Sequence, residues 1–550
     1  MQPRVLRIHP NDNVIVALDQ LNAGEKVQLQ SDIYEIRQDV PPKHKFAQVD
    51  FQPGDNITMY GVRVGKAVHS ISQGEVITTQ NIHHDAESYH LREQQYQWQP
   101  PSVDCWRETT FEGYHRANGK VGVANYWLVI PLVFCENRNL QVMREALVKE
   151  LGYNRSRSHR FDVRTLVDQY RAGATPDDLL AAPIALSNGS SGQHRTFPNV
   201  DGIQFLTHEG GCGGTRQDAQ TLCALFAGYI THANVAGATV LSLGCQNAED
   251  KLLLEEIEKR DANFNKPLHI LEQQQSASEE EFLAEAIKKT FVGLTEANRL
   301  ERKPAPLSKL VVGLECGGSD GFSGISANPA VGHAADLLVA LGGSVILSEF
   351  PELCGVEQEL TDRCTDRATA ERFINLMRAY SRRAEEVGSG FDMNPSPGNI
   401  KDGLITDAIK SAGAAKKGGT SPVVDVLDYP EPATKPGLNL LCTPGNDVES
   451  TTGLAGAGAT VILFTTGLGT PTGNAVAPTL KIASNATLAK RMSDIIDINA
   501  GTVISGEDTI ESKGEEILDY IIRTAQGNYT PKAVRLGQDD FIPWKRGVSL

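Results

Sequence analysis

Two patterns of apolar and polar positions divide the N-terminal part of the chain. Residues 1–85 contain short β-type runs, namely VIVAL, EKVQL, KFAQV and NITMYG, which are separated by turns such as AGE and QPGD. These runs predict a small all-β module. From about residue 86 to residue 110 the composition shifts to His, Gln, Tyr and Pro without apolar periodicity. We therefore expect an extended linker over residues 86–110.

A different pattern follows the linker, in which short apolar runs alternate with helical stretches and each run ends in a loop rich in Gly and polar groups. The runs lie in GIQFLTHEGGCGG, TVLSLGCQNAED, LHILEQQQS, KLVVGLECGGSDG, GSVILSEFPE, LNLLCTPGND and TVILFTTGLGTP. Strands that alternate with helices predict parallel α/β sheets, which bind ligands at the carboxyl ends of their strands. The charged, Pro-bearing stretch NRLERKPAP predicts a division into a middle α/β domain at 111–300 and a C-terminal α/β domain at 301–550.

Composition and charge exclude several functions. The 550 residues are 40% apolar and 22% charged, which is ordinary for a globular, multidomain protein. The 68 acidic and 52 basic residues give a net charge of -16, which repels nucleic acid and anionic membranes. The chain also lacks a signal-peptide pattern and a membrane-spanning apolar run, so we expect a cytoplasmic protein. An anionic substrate would need local cations, N–H groups or a metal in its binding site.

The segment GLECGGSDGFSGISANP carries the strongest chemical signal. It places Glu315, Cys316, Ser319 and Asp320 at a predicted strand end, among glycines that let a ligand approach the backbone. A tight turn with an ordinary buried Cys is the alternative interpretation. We favour a functional site, because carboxylates and a thiol crowded at a strand end are costly to bury without a purpose.

Two other loops add soft and borderline ligands. His208 and Cys212 lie in THEGGCGG, and Cys245 lies in LGCQN. Cys, His and carboxylate together suit Fe(II) or Zn(II). The nine cysteines include no CxxC pair, which favours reduced thiols over disulfides. Whether the three loops meet depends on the fold, and any single Cys is more often a packing residue.

The β module and the later loops supply candidate proton carriers and hydrogen-bonding groups. His9 stands in RIHPNDNV, and His44 is flanked by Lys43 and Lys45, which pairs a proton carrier with cations. The loops NPSPGN, TPGND and TTGLGTPTG suit binding of hydroxyl and carboxylate oxygens, although each could be a plain turn. The candidate substrate-binding residues are Ser319, Asn394, Ser396, Asn399, Asn446, Thr465, Thr466 and Thr470. A nucleotide is disfavoured, because TTGLGTPTG lacks the third Gly of a dinucleotide fingerprint.

Taken in order along the chain, these motifs resemble the altronate/galactarate dehydratase family. The matching segments are IHPNDNV, KHKFA, FEGYHRANGKVGVAN, THEGGCGG, LGCQN, LECGGSDGFSGISANPAVG, SEFPE, NPSPGN, TPGND and FTTGLGTP. LECGGSDG, SEFPE and TPGND are closer to the altronate branch, whereas IDINAGTVISGEDTI resembles galactarate enzymes equally well. The chain departs from the family pattern at Lys43, Gln246 and Ile400, and its region 153–200 is longer and carries the tract GSSGQHR.

The resemblance implies an N-terminal SAF-type β-clip domain, a middle domain that can contribute to a homodimer, and a C-terminal variant Rossmann-like parallel sheet. It also implies a hydro-lyase that converts a sugar acid to a 2-keto-3-deoxy product with Fe(II) or a similar divalent ion such as Mn(II). D-altronate is the expected substrate and galactarate the alternative.

For this chemistry we expect proton transfer by His208 or His44, with His9 as a further candidate and Lys45 as an electrostatic helper. The predicted metal ligands are drawn from Cys212, Cys245, Cys316, Asp320 and Glu349. Two alternatives stay open. Three of the cysteines could hold an iron–sulfur cluster, and the chain could be a non-catalytic sugar-acid sensor.

Overall fold

The structure is a computed structural model that describes residues 3–85, 89–92, 96–153, 160–186 and 194–547. The tract GSSGQHR of the longer region 153–200 falls mostly outside these ranges. No helix among the described residues is long and apolar enough to cross a membrane.

The N-terminal region is built only from short antiparallel strands. Its strands are β1 (Val5–Leu6), β2 (Val14–Ala17), β3 (Lys26–Leu29), β4 (Asp32–Glu35), β5 (Lys45–Ala47), β6 (Asn56–Met59), β7 (Val62–Ala67), β8 (Val76–Ile77) and β9 (Ile82–His83). They form three small sheets, with the orders β1-β2-β5-β8, β6-β7-β9 and β3-β4. The predicted all-β module is therefore confirmed.

The middle region contains a four-stranded parallel sheet and further short strands. The strands of the region are β10 (Thr110–His115), β11 (Val121–Gly122), β12 (Tyr126–Pro131), β13 (Arg160–Phe161), β14 (Ala185–Leu186), β15 (Gly202–Phe205), β16 (Val235–Ser242) and β17 (Leu268–Glu272). Its helices are α1 (Asn137–Glu150), α2 (Val163–Arg171), α3 (Pro176–Ala181), α4 (Arg216–Thr231), α5 (Asp250–Arg260) and α6 (Glu279–Ala297). The parallel sheet has the order β15-β12-β16-β17.

The C-terminal region contains a larger sheet of seven parallel strands, β19 to β25. The strands of the region are β18 (Lys303–Pro306), β19 (Val311–Cys316), β20 (Ser344–Leu347), β21 (Val423–Leu427), β22 (Gly437–Leu441), β23 (Val461–Thr466), β24 (Thr479–Ala483) and β25 (Ile498–Asn499). Its helices are α7 (Ala327–Ala340), α8 (Glu357–Asp362), α9 (Arg367–Glu386), α10 (Pro397–Lys401), α11 (Asp407–Ala415), α12 (Asp447–Ala457), α13 (Ala486–Arg491), α14 (Thr502–Ser505), α15 (Ile510–Ala525) and α16 (Lys532–Leu536). Short 3-10 helices lie at Phe134–Glu136, Gln273–Gln275, Leu307–Lys309, Ser323–Ile325, Phe350–Leu353, Phe391–Met393 and Lys416–Gly418.

The strand order of the large sheet fixes where a ligand site is expected. The order is β21-β22-β20-β19-β23-β24-β25, and all neighbouring pairs are parallel. From β19 the chain builds the sheet in one direction through β20, and it later returns to add β23 on the other side of β19. Such a reversal opens a crevice at the carboxyl ends of the two strands. The crevice here lies between β19 and β23.

The three regions share apolar cores. One core joins residues of the β module, such as Ile57 and Val64, to Leu314 and Ile409 of the C-terminal region. A second joins β12 and α4 of the middle region to α12 and β22. Because burial of apolar surface is the main stabilising contribution, these joint cores hold the loops of different regions in fixed relation to the crevice.

Candidate active site

A thiol and two carboxylates meet at the carboxyl ends of β19 and β20. Cys316 is the last residue of β19, and Glu349 and Glu352 follow β20. Each residue offers one ligand atom, namely the Cys316 sulfur or a glutamate carboxylate oxygen, and these three atoms lie within 4.8 Å of one another. All three side chains are buried. We call these three residues the thiol–carboxylate cluster.

Direct contacts hold the cluster together. The backbone N–H of Cys316 donates to Oε2 of Glu349 at 3.1 Å, and its Sγ lies 3.5 Å from the same oxygen. The thiol also donates to Oε2 of Glu352 at 3.2 Å. Burial, and then the charges of Glu349 and Glu352, raise the pKa of Cys316 well above its usual value. The thiol therefore keeps its proton unless a cation replaces it.

Two buried lysines neutralise the two carboxylates. Nζ of Lys417 lies 2.9 Å from Oε2 of Glu349, and both side chains are 1% exposed. Nζ of Lys410 lies 2.6 Å from Oε1 of Glu352. Burial tends to raise the pKa of Glu352, but Lys410 and Lys417 outweigh it and lower that pKa. Buried charges of this kind persist only when they are paired.

A third carboxyl group lies beneath the cluster. Oε2 of Glu315 accepts hydrogen bonds from Ser450 at 2.6 Å and from Ser348 at 3.1 Å. Complete burial, and then the negative charge of Glu349, raise the pKa of Glu315 well above its usual value. The raised pKa favours the protonated form of Glu315, whereas Glu349 and Glu352 are paired with the ammonium groups of Lys417 and Lys410.

Glu349 shows a further feature typical of a functional site. Its carboxyl group is buried and interacts with the carboxyl group of Glu315 as well as with Lys417. Glu349 itself has a φ of 67° and a ψ of 61°, a left-handed conformation that is unfavourable for a residue with a side chain. Such a conformation costs roughly 1–3 kcal/mol and tends to occur at functional sites. Near the cluster, burial and then the charges of Glu349 and Glu352 raise the pKa of Asp447 to about 7.

The β module reaches the same loop through Lys43. Its Nζ lies 3.0 Å from Oδ2 of Asp320 and 2.8 Å from Oδ1 of Asp402. Asp320 is fully buried and also accepts hydrogen bonds from Ser484 at 2.7 Å and from Asn485 at 3.0 Å. Because Asp320 follows Cys316 by four residues, a cation of the β module lies beside the loop that carries the cluster.

The neighbours of Lys43 differ in accessibility. Lys45 is fully buried, and its Nζ donates to the carbonyl of Gly403 at 2.6 Å. Burial lowers the pKa of Lys45 to about 7, although Asp320 opposes the shift. His44 is half-buried, and burial lowers its pKa below the usual value. His44 is therefore neutral at pH 7 and able to accept a proton. His9 lies elsewhere in the module, where its Nδ1 accepts the N–H of Asn11.

His208 is fixed by its own loop. Its Nδ1 accepts the N–H of Gly210 at 2.9 Å, so its Nε2 carries the proton and donates to the carbonyl of Pro131 at 2.7 Å. Burial lowers the pKa of His208 to about 4, which keeps the ring neutral. Both ring nitrogens are thus occupied within the middle region.

Cys212 and Cys245 lie on neighbouring loops of the middle region. Both are exposed, and the N–H of Asn247 donates to the carbonyl of Gly211 at 2.9 Å, which joins the loops. Cys245 accepts a hydrogen bond from Gln274 at 3.3 Å. His208 and Cys212 line a cavity of about 650 Å³, whose opposite wall comes from the C-terminal region.

The five predicted metal ligands therefore do not form one site. Cys316 and Glu349 lie together, whereas Asp320 forms an ion pair with Lys43. Over the described ranges, no group of three or more His, Cys, Asp or Glu side chains close enough to share a metal ion includes Cys212, Cys245 or Asp320.

The predicted substrate-binding residues have contacts of two kinds, and Asn399 has both. Some lie near the cluster: Nδ2 of Asn394 is 3.4 Å from Oε1 of Glu352, and Nδ2 of Asn399 donates to the carbonyl of Ser319 at 2.7 Å. Thr465 and Thr466 end β23, on the other side of the crevice, and Thr470 follows them in the next loop. Others have structural contacts: Ser396 and Asn399 form the capping box of α10, and Asn446 caps α12.

Sequence reasoning missed the residues that complete the cluster. Glu352 had a usable signal, because it lies three residues after Glu349 in SEFPE, and a short helical turn places such residues together. Lys410 and Lys417 had none. They lie in a stretch of Ala, Gly and Ser, where a lysine normally points to solvent.

Three family models together match most of the chain. Residues 3–85 match the altronate/galactarate dehydratase SAF domain. Residues 113–298 match the second domain of D-galactarate dehydratase/altronate hydrolase, and residues 307–549 match the D-galactarate/altronate dehydratase C-terminal domain.

Full-length relatives agree with these matches. Altronate dehydratase of Escherichia coli (strain K12) is 34% identical over 550 residues, and that of Bacillus subtilis (strain 168) is 33% identical over 551 residues; both alignments cover 99% of each chain. Galactarate dehydratase (L-threo-forming) of Escherichia coli (strain K12) is 31% identical over 527 residues, which are 95% of this chain and 92% of the relative. The fold and the site thus define an enzyme of the dehydratase type, a hydro-lyase. The chain belongs to the altronate/galactarate dehydratase family.

The charge balance of the cluster can be tested with Lys417→Met. We expect a loss of about 3–5 kcal/mol in unfolding free energy, because the change leaves the buried Glu349 without its counter-charge. The measurement is the urea-unfolding midpoint at pH 7. Lys416→Met is the matched control, since Lys416 is partly exposed and lies 3.6 Å from Glu359, an arrangement worth less than about 1 kcal/mol. Equal destabilisation by the two variants would contradict the assigned pairing.

Proposed function

We propose that this chain removes water from D-altronate to give 2-dehydro-3-deoxy-D-gluconate, with galactarate as the alternative substrate. The two altronate dehydratases that match over 99% of the chain support this choice. One structural observation carries it: the thiol–carboxylate cluster lies at the carboxyl ends of the neighbouring strands β19 and β20, with its carboxylates balanced by Lys410 and Lys417.

The residues of the cluster fit a divalent metal ion. Cys316, Glu349 and Glu352 offer a borderline donor set that suits Fe(II), and Mn(II) is a weaker match because it prefers oxygen ligands. Glu349 offers a carboxylate oxygen within 4.8 Å of the ligand atoms of Cys316 and Glu352. A bound divalent ion would act as a Lewis acid toward the substrate carboxylate and the departing hydroxyl.

Charge favours a monoanionic substrate at this site. With Cys316 and Glu315 protonated, the carboxylates of Glu349 and Glu352 are balanced by the ammonium groups of Lys417 and Lys410. A divalent ion that displaces the thiol proton would add one net positive charge, which the carboxylate of an aldonic acid would cancel. In a buried site this match contributes to affinity, because unbalanced charge is penalised by desolvation.

The dehydration itself needs a base and an acid. The base removes the proton from the carbon next to the carboxylate, and the C–O bond at the following carbon then breaks as its hydroxyl takes up a proton. We assign proton removal to His44, because it is neutral and half-buried beside the Lys43–Asp320 contact. Lys45 supports it by holding the segment against Gly403. His208 keeps a positioning role, since both of its ring nitrogens are occupied.

A mononuclear ion is favoured over an iron–sulfur cluster. An iron–sulfur cluster needs several thiolates as ligands to its iron ions. Cys316 shares its site with two glutamates, whereas Cys212 and Cys245 lie on loops of the middle region.

The finer architectural expectations belong to the same proposal. The seven-stranded sheet with its strand-order reversal supports a variant Rossmann-like domain over 301–550, and the antiparallel module supports a β-clip over 1–85. A linker over 86–110, a middle domain over 111–300, a homodimeric assembly and a cytoplasmic location complete it.

The activity can be tested on a panel of aldonic and aldaric acids under anaerobic conditions. We expect 2-keto acid formation from D-altronate with Fe(II), less with Mn(II), and none after chelation. Glu349→Gln is expected to reduce kcat by about 10²-fold or more, because it weakens a charge-stabilising ligand. Glu359→Gln, on the outer face of α8, is the matched control and should retain activity. Turnover of galactarate alone would select the alternative substrate, and turnover of no sugar acid would refute the proposal.

The role of His44 predicts a specific pH profile. A base acts in its deprotonated form, so kcat/KM should fall as the pH drops through the pKa of His44, which burial places below 6.5. His44→Gln should remove this acidic limb and lower kcat by roughly 10²–10⁴-fold. His9→Gln, a change of the same kind in the same module, should keep both the limb and the rate. An acidic limb that persists in His44→Gln would assign the proton transfer to another residue.

A further inference from the structure

A second group of metal-type ligands lies outside the thiol–carboxylate cluster. His84 directly follows β9 of the N-terminal module, Cys354 follows the 3-10 helix Phe350–Leu353, and Asp407 is the first residue of α11. Each residue offers one ligand atom, namely an imidazole nitrogen, a thiol sulfur or a carboxylate oxygen, and these three atoms lie within 4.8 Å of one another. The three residues come from three distant parts of the chain and from two different domains, and we call them the His–Cys–Asp group.

The carboxylate of this group is buried against the other two ligands. Asp407 is 2% exposed, and its side chain contacts the imidazole of His84 and the thiol of Cys354. The contact with His84 joins Nδ1 of the ring to Oδ1 of the carboxylate as an ion pair. A cation held by the three residues would give this buried carboxylate a permanent counter-charge, which the imidazole supplies only when it is protonated.

The surroundings of the group are negatively charged. The Asp407 contact raises the pKa of His84 against the effect of burial, and Asp392 adds to the shift. The carboxyl groups of Glu357 and Asp407 lie near the Cys354 thiol. A cation bound by the three residues would offset this local negative charge.

We propose that His84, Cys354 and Asp407 bind a transition-metal ion, with Zn(II) or Fe(II) as the chemical class. One imidazole nitrogen, one thiolate and one carboxylate oxygen form a borderline donor set that these ions accept. Binding replaces the thiol proton of Cys354 and releases it to solvent. The ion connects the end of the β module to the C-terminal domain and so fixes the position of the segment that carries His44.

This second site is structurally separate from the first. Cys354 lies two residues after Glu352, and Asp407 lies one helical turn before Lys410, so the two sites are neighbours that share no ligand. Loss of one metal should therefore leave the ligands of the other in place, and the two can be tested independently.

The test uses the full-length protein loaded with Co(II), because thiolate-bound Co(II) gives a charge-transfer absorption band in the near ultraviolet. In a Cys316→Ser background, which removes the thiol of the first site, we expect the band to remain. Adding Cys354→Ser should abolish it. Metal analysis of the otherwise unchanged protein should show that His84→Ala, Cys354→Ser and Asp407→Asn each bind about one equivalent less metal than the parent protein.

Cys364→Ser is the matched control, because Cys364 lies in the same region of the chain and its buried thiol donates to the carbonyl of Leu360 instead of joining a ligand group. It should bind as much metal as the parent. Asp407→Asn keeps the shape of the side chain and provides the result if a cysteine variant fails to fold, as judged by circular dichroism. Unchanged metal content in Asp407→Asn, or a Co(II) band insensitive to Cys354→Ser, would overturn the proposal. Absence of dehydratase activity with the metal content as expected would refute only the proposed function.

Discussion

The structure depends on the pairing of buried carboxylates with buried lysines at the carboxyl ends of the central strands. Glu349 and Glu352 could not remain ionised away from water without Lys417 and Lys410, since an isolated buried charge is destabilising by several kcal/mol. The lysines in turn need α11 to pack against the 3-10 helices that follow β19 and β20, and the 3-10 helix Lys416–Gly418 to pack against the two strands themselves. The electrostatics of the site and the packing of this layer therefore constrain each other.

The N-terminal module contributes to the same site rather than acting as a separate appendage. Its apolar residues share a core with the C-terminal region, and Lys43 adopts a left-handed φ of 74° to reach Asp320. Gly321 and Gly403 lie so close to the backbone of Lys43 that a side chain at either position would collide with it. The approach of the module is thus fixed by shape as well as by charge.

The sequence predicted the fold class well, because the period-two runs before residue 85 and the strand–helix alternation after residue 110 are strong local signals. It also indicated Cys316 and Glu349, since polar residues at the ends of parallel strands meet at one sheet edge. It could not predict Lys410 and Lys417, whose burial depends on long-range packing. For the same reason it grouped Cys212 and Cys245 with Cys316, although the structure places them on loops of another domain.

In the proposed site, the metal ion of the dehydratase binds Cys316 together with carboxylates. X-ray absorption spectroscopy of anaerobic, Fe(II)-loaded Cys354→Ser protein tests this ligand set, because the variant lacks the thiol of the His–Cys–Asp group. We expect one sulfur shell among oxygen ligands, and loss of that sulfur shell when Cys316→Ser is added. A first shell of nitrogen and oxygen atoms without sulfur, while Cys316 is intact, would contradict it.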